Sequence, residues 1–185
     1  DGNTNPNFSI INSKVQKYWT KFLTKKGVRF EIGTEYSNKL LETFIGSNKV
    51  FMAGSTWNSD IPFIHEIIKH LPPDYKIIIA PHEIDHFDYQ KFDQYQCARY
   101  TQHKNLNAKV LFVDTIGILS RIYSYASLIY VGGGFGKGIH NVLEPAVYSI
   151  PVIIGPNYKQ FIEAVELNKN GILHIIKSLN ETDHV

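Results

Sequence analysis

Five short, unbroken apolar runs alternate along the chain with longer segments whose apolar residues return at helical spacing. The runs are Lys49–Ala53 (KVFMA), Lys76–Ala80 (KIIIA), Val110–Val113 (VLFV), Ser127–Val131 (SLIYV) and Pro151–Ile154 (PVII). A strand with one wet face alternates apolar and polar residues, whereas a continuous apolar run marks a strand covered on both faces. The segments between them predict helices over Ile61–Leu71, roughly Tyr89–His103, Ile116–Ala126, Asn141–Ser149 and Tyr158–Asn168. Ile61, Ile64, Ile67 and Ile68 share one helical face, as do Ile118, Ile122 and Tyr125. Strands and helices alternating at this length predict an α/β fold, a Rossmann-like doubly wound parallel sheet.

Ligands of such sheets sit beyond the carboxyl ends of the strands. Each predicted strand here ends in a polar or glycine-bearing cluster: Gly54-Ser55-Thr56-Trp57, Pro81-His82-Glu83, Asp114-Thr115-Ile116-Gly117, the run from Gly132 to Gly138, and Gly155-Pro156-Asn157-Tyr158. In a parallel sheet all five share one rim. The fourth is the richest, because Gly132, Gly133, Gly134, Gly136 and Gly138 surround Phe135 and Lys137, and His140-Asn141 follow. Glycine lets the backbone approach a ligand closely, and unpaired N–H groups at a helix start favour an anion. The pattern suits a phosphate-bearing ligand; its bland alternative is a βα turn that only packs tightly.

Two familiar phosphate motifs fail by spacing. A dinucleotide fingerprint counted from Gly132 needs glycine where Lys137 stands, and counted from Gly134 needs it at Ile139. A P-loop needs Ser or Thr after Gly136-Lys137, where Gly138 stands. NAD and hydrolysed ATP are therefore set aside, and a nucleotide-sugar remains open.

Composition narrows the rest. A chain of 185 residues, 43% hydrophobic and 19% charged, is one soluble-type domain with a real core. A net charge of +2 without a Lys/Arg run argues against nucleic acid, and Lys21–Lys26 (KFLTKK) reads as a solvated helix face. The single cysteine, Cys97, rules out a disulfide framework and a zinc cluster, and eight scattered histidines show no metal-ligand spacing. No apolar run approaches the ~20 residues that span a bilayer. The polar start Asp1–Asn7 without Met reads as a cut within a longer protein. Val15–Leu23 predicts a helix, Arg29–Glu35 a strand or extended linker, and Ser37–Phe44 a second helix.

At the rim, Ser55 and Thr56 either hold a phosphate or serve the turn, and Ser59 or Asp60 caps the following helix. His82 and Glu83 are candidate ligand contacts, while Asp85, His86 and Asp88 read as solvated loop. Asp114 and Thr115 either contact the ligand or cap the helix near Ile116. The loop amides from Gly132 to Gly138 are candidate anion donors, with Lys137 as a counter-charge or a solvated tip. Asn141 and Glu144, three residues apart, fit a capping pair or a ligand contact alongside His140.

Taken together, GSTW (Gly54–Trp57), APHE (Ala80–Glu83), VDTIG (Val113–Gly117), YVGGGFGKGIHNVLEPA (Tyr130–Ala146) and PVIIGPNY (Pro151–Tyr158) resemble, in order, the carboxyl-terminal half of the 3-deoxy-D-manno-octulosonic acid (Kdo) transferases. The resemblance runs from about Phe44 to Ile176. That bacterial family transfers Kdo from CMP-Kdo to the lipid A precursor of lipopolysaccharide. It implies a GT-B glycosyltransferase, with residues 44–185 as the donor-binding domain and residues 1–43 as a poorly matched interdomain or terminal segment, in which Val28–Glu31 echoes an interdomain stretch. By the same resemblance, Glu144 contacts the ribose, Asn141 the phosphate or the helix start, and the glycine loop with Lys137 the phosphate or the Kdo carboxylate. The reaction would be inverting and need neither metal nor cofactor, CMP-Kdo being a substrate. The membrane contact, acceptor site and catalytic base are expected in an amino-terminal half, so this piece alone is expected to be soluble and inactive. The full-length protein is expected on the cytoplasmic face of a Gram-negative inner membrane. Two other readings stay open: a UDP-sugar-dependent GT-B transferase or epimerase domain, and a non-catalytic nucleotide-binding interaction module.

Overall fold

The protein is described by a computed structural model, which covers residues 36–179 and Glu181. The predicted elements over Val15–Leu23 and Arg29–Glu35, and the basic stretch Lys21–Lys26, lie outside the described residues.

Seven parallel strands form one sheet: β1 (Lys49–Thr56), β2 (Tyr75–Pro81), β3 (Cys97–Arg99), β4 (Val110–Phe112), β5 (Leu128–Val131), β6 (Val152–Ile154) and β7 (Leu173–Ile175). Their order is β3-β4-β2-β1-β5-β6-β7. The unbroken apolar runs are explained by alternation onto two dry faces. Val50, Met52, Ile78, Leu111, Ile129 and Val152 enter one core, and Phe51, Ala53, Ile77, Ile79, Val110, Phe112, Tyr130 and Ile153 the other.

Helices cover both faces. On the first lie α1 (Lys39–Ile45), capped by the Asn38 side chain, then α3 (Leu119–Ile122), α4 (Leu143–Ala146) and α5 (Ile162–Lys169). They contribute Leu41, Phe44, Ile122, Ala146, Ala164 and Leu167 to that core. Between α1 and α3 in the chain, α2 (Ile61–His70) crosses the second face. It begins with Pro62 in its first turn, where a missing N–H costs nothing, and buries Ile61, Ile64, Ile67 and Ile68. All five predicted strands are present, and so is the helix predicted over Ser37–Phe44.

Four predicted helices differ. Tyr89–His103 is not a helix; it forms a short 3-10 turn at Tyr89–Phe92, strand β3, and a second turn at Tyr100–Gln102. Its aromatic spacing looks helical, yet β4 would otherwise expose an unpaired edge. Cys97, Ala98 and Arg99 pair there with Val110, Leu111 and Phe112. The helix predicted from Ile116 starts only at Leu119, after Gly117 at φ 91°, and leaves Ile116 exposed. Asn141–Ser149 shrinks to the four residues of α4, because Pro145 opposes helical backbone ahead of it and Ser149 turns left-handed at φ 57°. Tyr158–Asn168 becomes helical only from Ile162, which leaves Lys159 and Gln160 in the loop after β6. Strands β3 and β7 have no counterpart among the predicted elements.

Candidate functional site

The chain leaves β1 toward β2 in one direction and later returns to its other side at β5. Crossovers on opposite faces part at such a switch point and leave a crevice at the carboxyl edge. Two loops meet there, Trp57–Asp60 after β1 and Gly132–Gly138 after β5. At the end of β1 the register slips between Gly54 and Thr56, and Ser55 takes φ 51°, a conformation costly for a residue with a side chain. Thr56 is buried, and its carbonyl accepts from the His82 N–H at 2.9 Å, which joins the first two rim segments.

Asp60 fastens the two loops together. Its Oδ2 accepts from the Trp57 N–H at 2.8 Å and the Gly133 N–H at 3.0 Å, and its Oδ1 from the Tyr130 hydroxyl at 2.7 Å. The side chain is fully buried. Burial pushes its carboxyl pKa up against the three donors, which pull the other way. The Tyr130 hydroxyl is driven well above its ordinary range by its own burial and the adjacent carboxylate. Of the two candidate caps for α2, Ser59 and Asp60, Asp60 holds the N-cap position but gives that helix no side-chain cap.

The glycine loop is a folded knot rather than an open arc. The Gly132 N–H donates to the Gly54 carbonyl, the Gly133 N–H to Asp60, and the Gly136 and Gly138 N–H groups to the Gly133 carbonyl. Gly133 takes φ 91°, open to glycine at little cost. At Gly134 a Cβ would stand 2.6 Å from the Gly155 backbone, so the loops after β5 and β6 cross main chain on main chain. The Asn157 N–H donates to the Gly134 carbonyl at 3.0 Å, and its Nδ2 to the Gly136 carbonyl at 3.0 Å. Among the described residues, the amides of Gly134, Phe135 and Lys137 have no protein acceptor. These, rather than the whole run, are the donors available to a ligand.

Beside the loop, three rings stack. Trp57 lies 4.6 Å from His82, His82 lies 4.1 Å from His140, and the Trp57 indole N–H donates to His140 Nε2 at 2.7 Å. Indole can only donate, so that imidazole is neutral with its proton on Nδ1. Burial, aided by His82, lowers the His140 pKa and favours that state. Lys137 Nζ stands 5.5 Å over the Trp57 ring. Trp57, which closes the first rim cluster and the GSTW run, thus joins the site although it was not among the candidate contacts.

Two clefts flank the glycine tip. The first, about 270 Å³, is lined by Thr56, Trp57, Asn58, Ser59, Glu83, His86, Phe87, Gly136 and Lys137. The second, about 420 Å³, is lined by Gly136, Lys137, Pro156, Asn157, Lys159 and Gln160. Neither cleft is lined by Asn141 or Glu144, which pair with each other at 3.0 Å while Asn141 Oδ1 accepts from the Leu143 N–H. Burial raises the Glu144 pKa, opposed by Asn141. Phe135 turns away to stack on Phe63. Asp114 is committed elsewhere: it accepts from the Thr101 N–H and hydroxyl at 2.9 and 2.7 Å and pairs with Arg99 at 3.8 Å. It caps the turn after β3, not a helix at Ile116, and Thr115 follows it in the same loop. Among the described residues, no three His, Cys, Asp or Glu side chains gather as a metal would require, and no helix is long and apolar enough to cross a membrane.

A parallel sheet wound on both faces, its crossovers parting between β1 and β5, is a Rossmann-like doubly wound fold. The carboxyl-terminal CMP-Kdo binding domain of WaaA from Acinetobacter baumannii superimposes with a TM-score of 0.66 over 76% of this chain and 79% of that one, at 21% identity. No protein-family model matches the chain. It is 29% identical over 171 residues to the 3-deoxy-D-manno-octulosonic acid transferase of Aquifex aeolicus, covering 89% of this chain and 44% of that protein. It is also 29% identical over 147 residues to a bifunctional glycosyltransferase/methyltransferase of Fusobacterium nucleatum, covering 74% of this chain and 23% of that protein. The chain is thus similar to Kdo transferases and, in fold, to a carboxyl-terminal CMP-Kdo binding domain. It spans less than half the length of these two relatives.

Proposed function

We propose that this chain is the donor-binding domain of a glycosyltransferase that moves Kdo from CMP-Kdo to the lipid A precursor of lipopolysaccharide. The observation that carries the reading is the glycine knot at the β1/β5 switch point, with the Gly134, Phe135 and Lys137 amides unpaired and Lys137 itself lining a cleft. Its relation to the Kdo transferases supplies the identity of the donor.

In this reading the CMP phosphate lies against those amides and the Lys137 ammonium. Displacement at the Kdo anomeric carbon leaves a second negative charge on the departing phosphate. Fixed N–H dipoles aimed at that charge stabilise it without reorganising, and one such donor lowers a barrier by about 3–4 kcal/mol in other enzymes. No cation or cofactor is needed on this account. Glu144 accepts from the ribose hydroxyls, and Asn141 orients it. Thr56 and Glu83 line the cleft at the glycine tip, His82 and His140 pack with Trp57 beside it, and Ser55 shapes the end of β1. The acceptor hydroxyl, its base and the inner-membrane surface belong to the part of the full-length protein that the relatives carry beyond the matched region.

Calorimetric titration of the folded chain with CMP, CMP-Kdo and UDP tests this. Binding of CMP and CMP-Kdo ahead of UDP is the expected result, and Glu144→Ala should weaken CMP by about tenfold, the loss of a bidentate contact of roughly 1.4 kcal/mol. Preference for UDP would favour a UDP-sugar enzyme, and glycine-loop amide resonances that ignore every nucleotide would favour a packing role.

A further inference from the structure

The glycine tip is asymmetric, and the asymmetry follows from its peptide planes. In a trans peptide the C=O and N–H point in opposite directions, and no cis peptide occurs among the described residues. The loop after β6 holds the Gly134 carbonyl with the Asn157 N–H and the Gly136 carbonyl with Asn157 Nδ2. Each bond turns the next N–H, of Phe135 and of Lys137, away from the β6 loop. Of these two residues, Lys137 lines the 270 Å³ cleft, which Thr56–Ser59 and Gly136 also line. The 420 Å³ cleft on the β6 side therefore receives carbonyl anchors and amide side chains already in use. Gln160 Nε2 reaches the Lys137 carbonyl at 3.4 Å. The two cations of this cleft are Lys137, shared with the first cleft, and Lys159, exposed and without an anionic partner among the described residues. Lys137 leans over Trp57 and borders both clefts, whereas Lys159 borders the second alone.

A nucleotide-activated sugar acid carries two anions, a phosphate and a carboxylate. A neutral hexose donor has no such carboxylate. Resting on the donor-binding reading above, we propose that the two clefts divide these charges: the amide-lined cleft takes the phosphate, and Lys159 in the β6-side cleft takes the carboxylate of the sugar acid. Lys159 then sets specificity for acidic sugars, and Asn157 and Gln160 are positioning residues that hold the tip in the orientation separating the two sites. The shift of the helix start from Tyr158 to Ile162 is what brings Lys159 to the cleft.

The test compares CMP with CMP-Kdo on the folded chain, its Lys159→Ala variant and its Lys159→Arg variant. Lys159 is exposed, so the variants should keep the wild-type melting profile. Wild type should bind CMP-Kdo more tightly than CMP. Lys159→Ala should weaken CMP-Kdo by about five- to tenfold, the scale of one charge-assisted contact, and leave CMP within about twofold. Lys159→Arg should restore most of the difference. Equal weakening of both ligands, or no change in CMP-Kdo, would overturn the assignment while leaving the donor domain intact. Failure of wild type to bind CMP at all would overturn the underlying reading itself.

Discussion

The loops after β4 and β5 leave the same edge of the same sheet, yet they are built for different ends. After β5 the main chain folds on itself, borrows a buried carboxylate from the neighbouring loop, and leaves amides without a protein acceptor, that of cleft-lining Lys137 among them. After β4 the polar side chain, Asp114, is turned back onto Thr101 and Arg99, and Ile116 projects to solvent at 89% exposure. The difference is position. Strand β5 borders the switch point, where the chain parts to opposite faces; β4 lies away from it, between β3 and β2. A polar cluster at a strand end is thus a site only where topology opens the sheet edge.

Gly134→Ala strikes the knot hardest. The new methyl would press on the Gly155 backbone, which has no side chain to move, so the two loops must separate. Overpacking of this kind costs roughly 3 kcal/mol, and urea unfolding should show it. Nucleotide affinity should fall further than stability alone explains, since the shift re-aims the Phe135 and Lys137 amides. Asp114→Ala is the counterpart on the β4 side. It removes two hydrogen bonds to Thr101 from a side chain only 8% exposed, a loss of about 1–2 kcal/mol in the same unfolding experiment. CMP affinity should not change. A drop in affinity with Asp114→Ala would collapse the contrast between the loops and return Asp114 to the donor site.

The sheet was legible because burial on two faces leaves a mark in the sequence: Val50 and Phe51, or Ile77 and Ile78, face opposite cores, and no polar residue interrupts them. The rim was legible for the same reason, since a parallel sheet sends every strand end to one edge. Strand β3 was hidden because only Ala98 of its three residues is buried, and what recruits it is the open edge of β4, a tertiary demand absent from the local pattern. Asp60 was visible as a residue but not as a clip, because its partners Tyr130 and Gly133 lie 70 and 73 positions along the chain. Lys159 was concealed by a helix predicted to begin at Tyr158; the turn closed by the Phe161 N–H on the Tyr158 carbonyl displaces that start.

The smallest effect sharpens the comparison most, because it separates shape from charge in the knot. Asp60→Asn keeps the outline of the clip: its carbonyl oxygen accepts from the Trp57 and Gly133 N–H groups, and its NH2 donates to the Tyr130 oxygen. Only the buried negative charge is lost. Because burial raises the Asp60 pKa in the folded chain, the folded state binds the proton more tightly than the unfolded state. The resulting stability is fully present below the ordinary carboxylate pKa and is lost as pH rises through the raised folded value. Wild type should therefore lose thermal stability relative to Asp60→Asn as pH rises above the ordinary carboxylate pKa of about 4, while the Asn variant lacks this component of the slope. Parallel melting curves across that range would mean that the three donors hold the carboxylate at its unfolded-state affinity for protons, and that the clip acts through geometry alone.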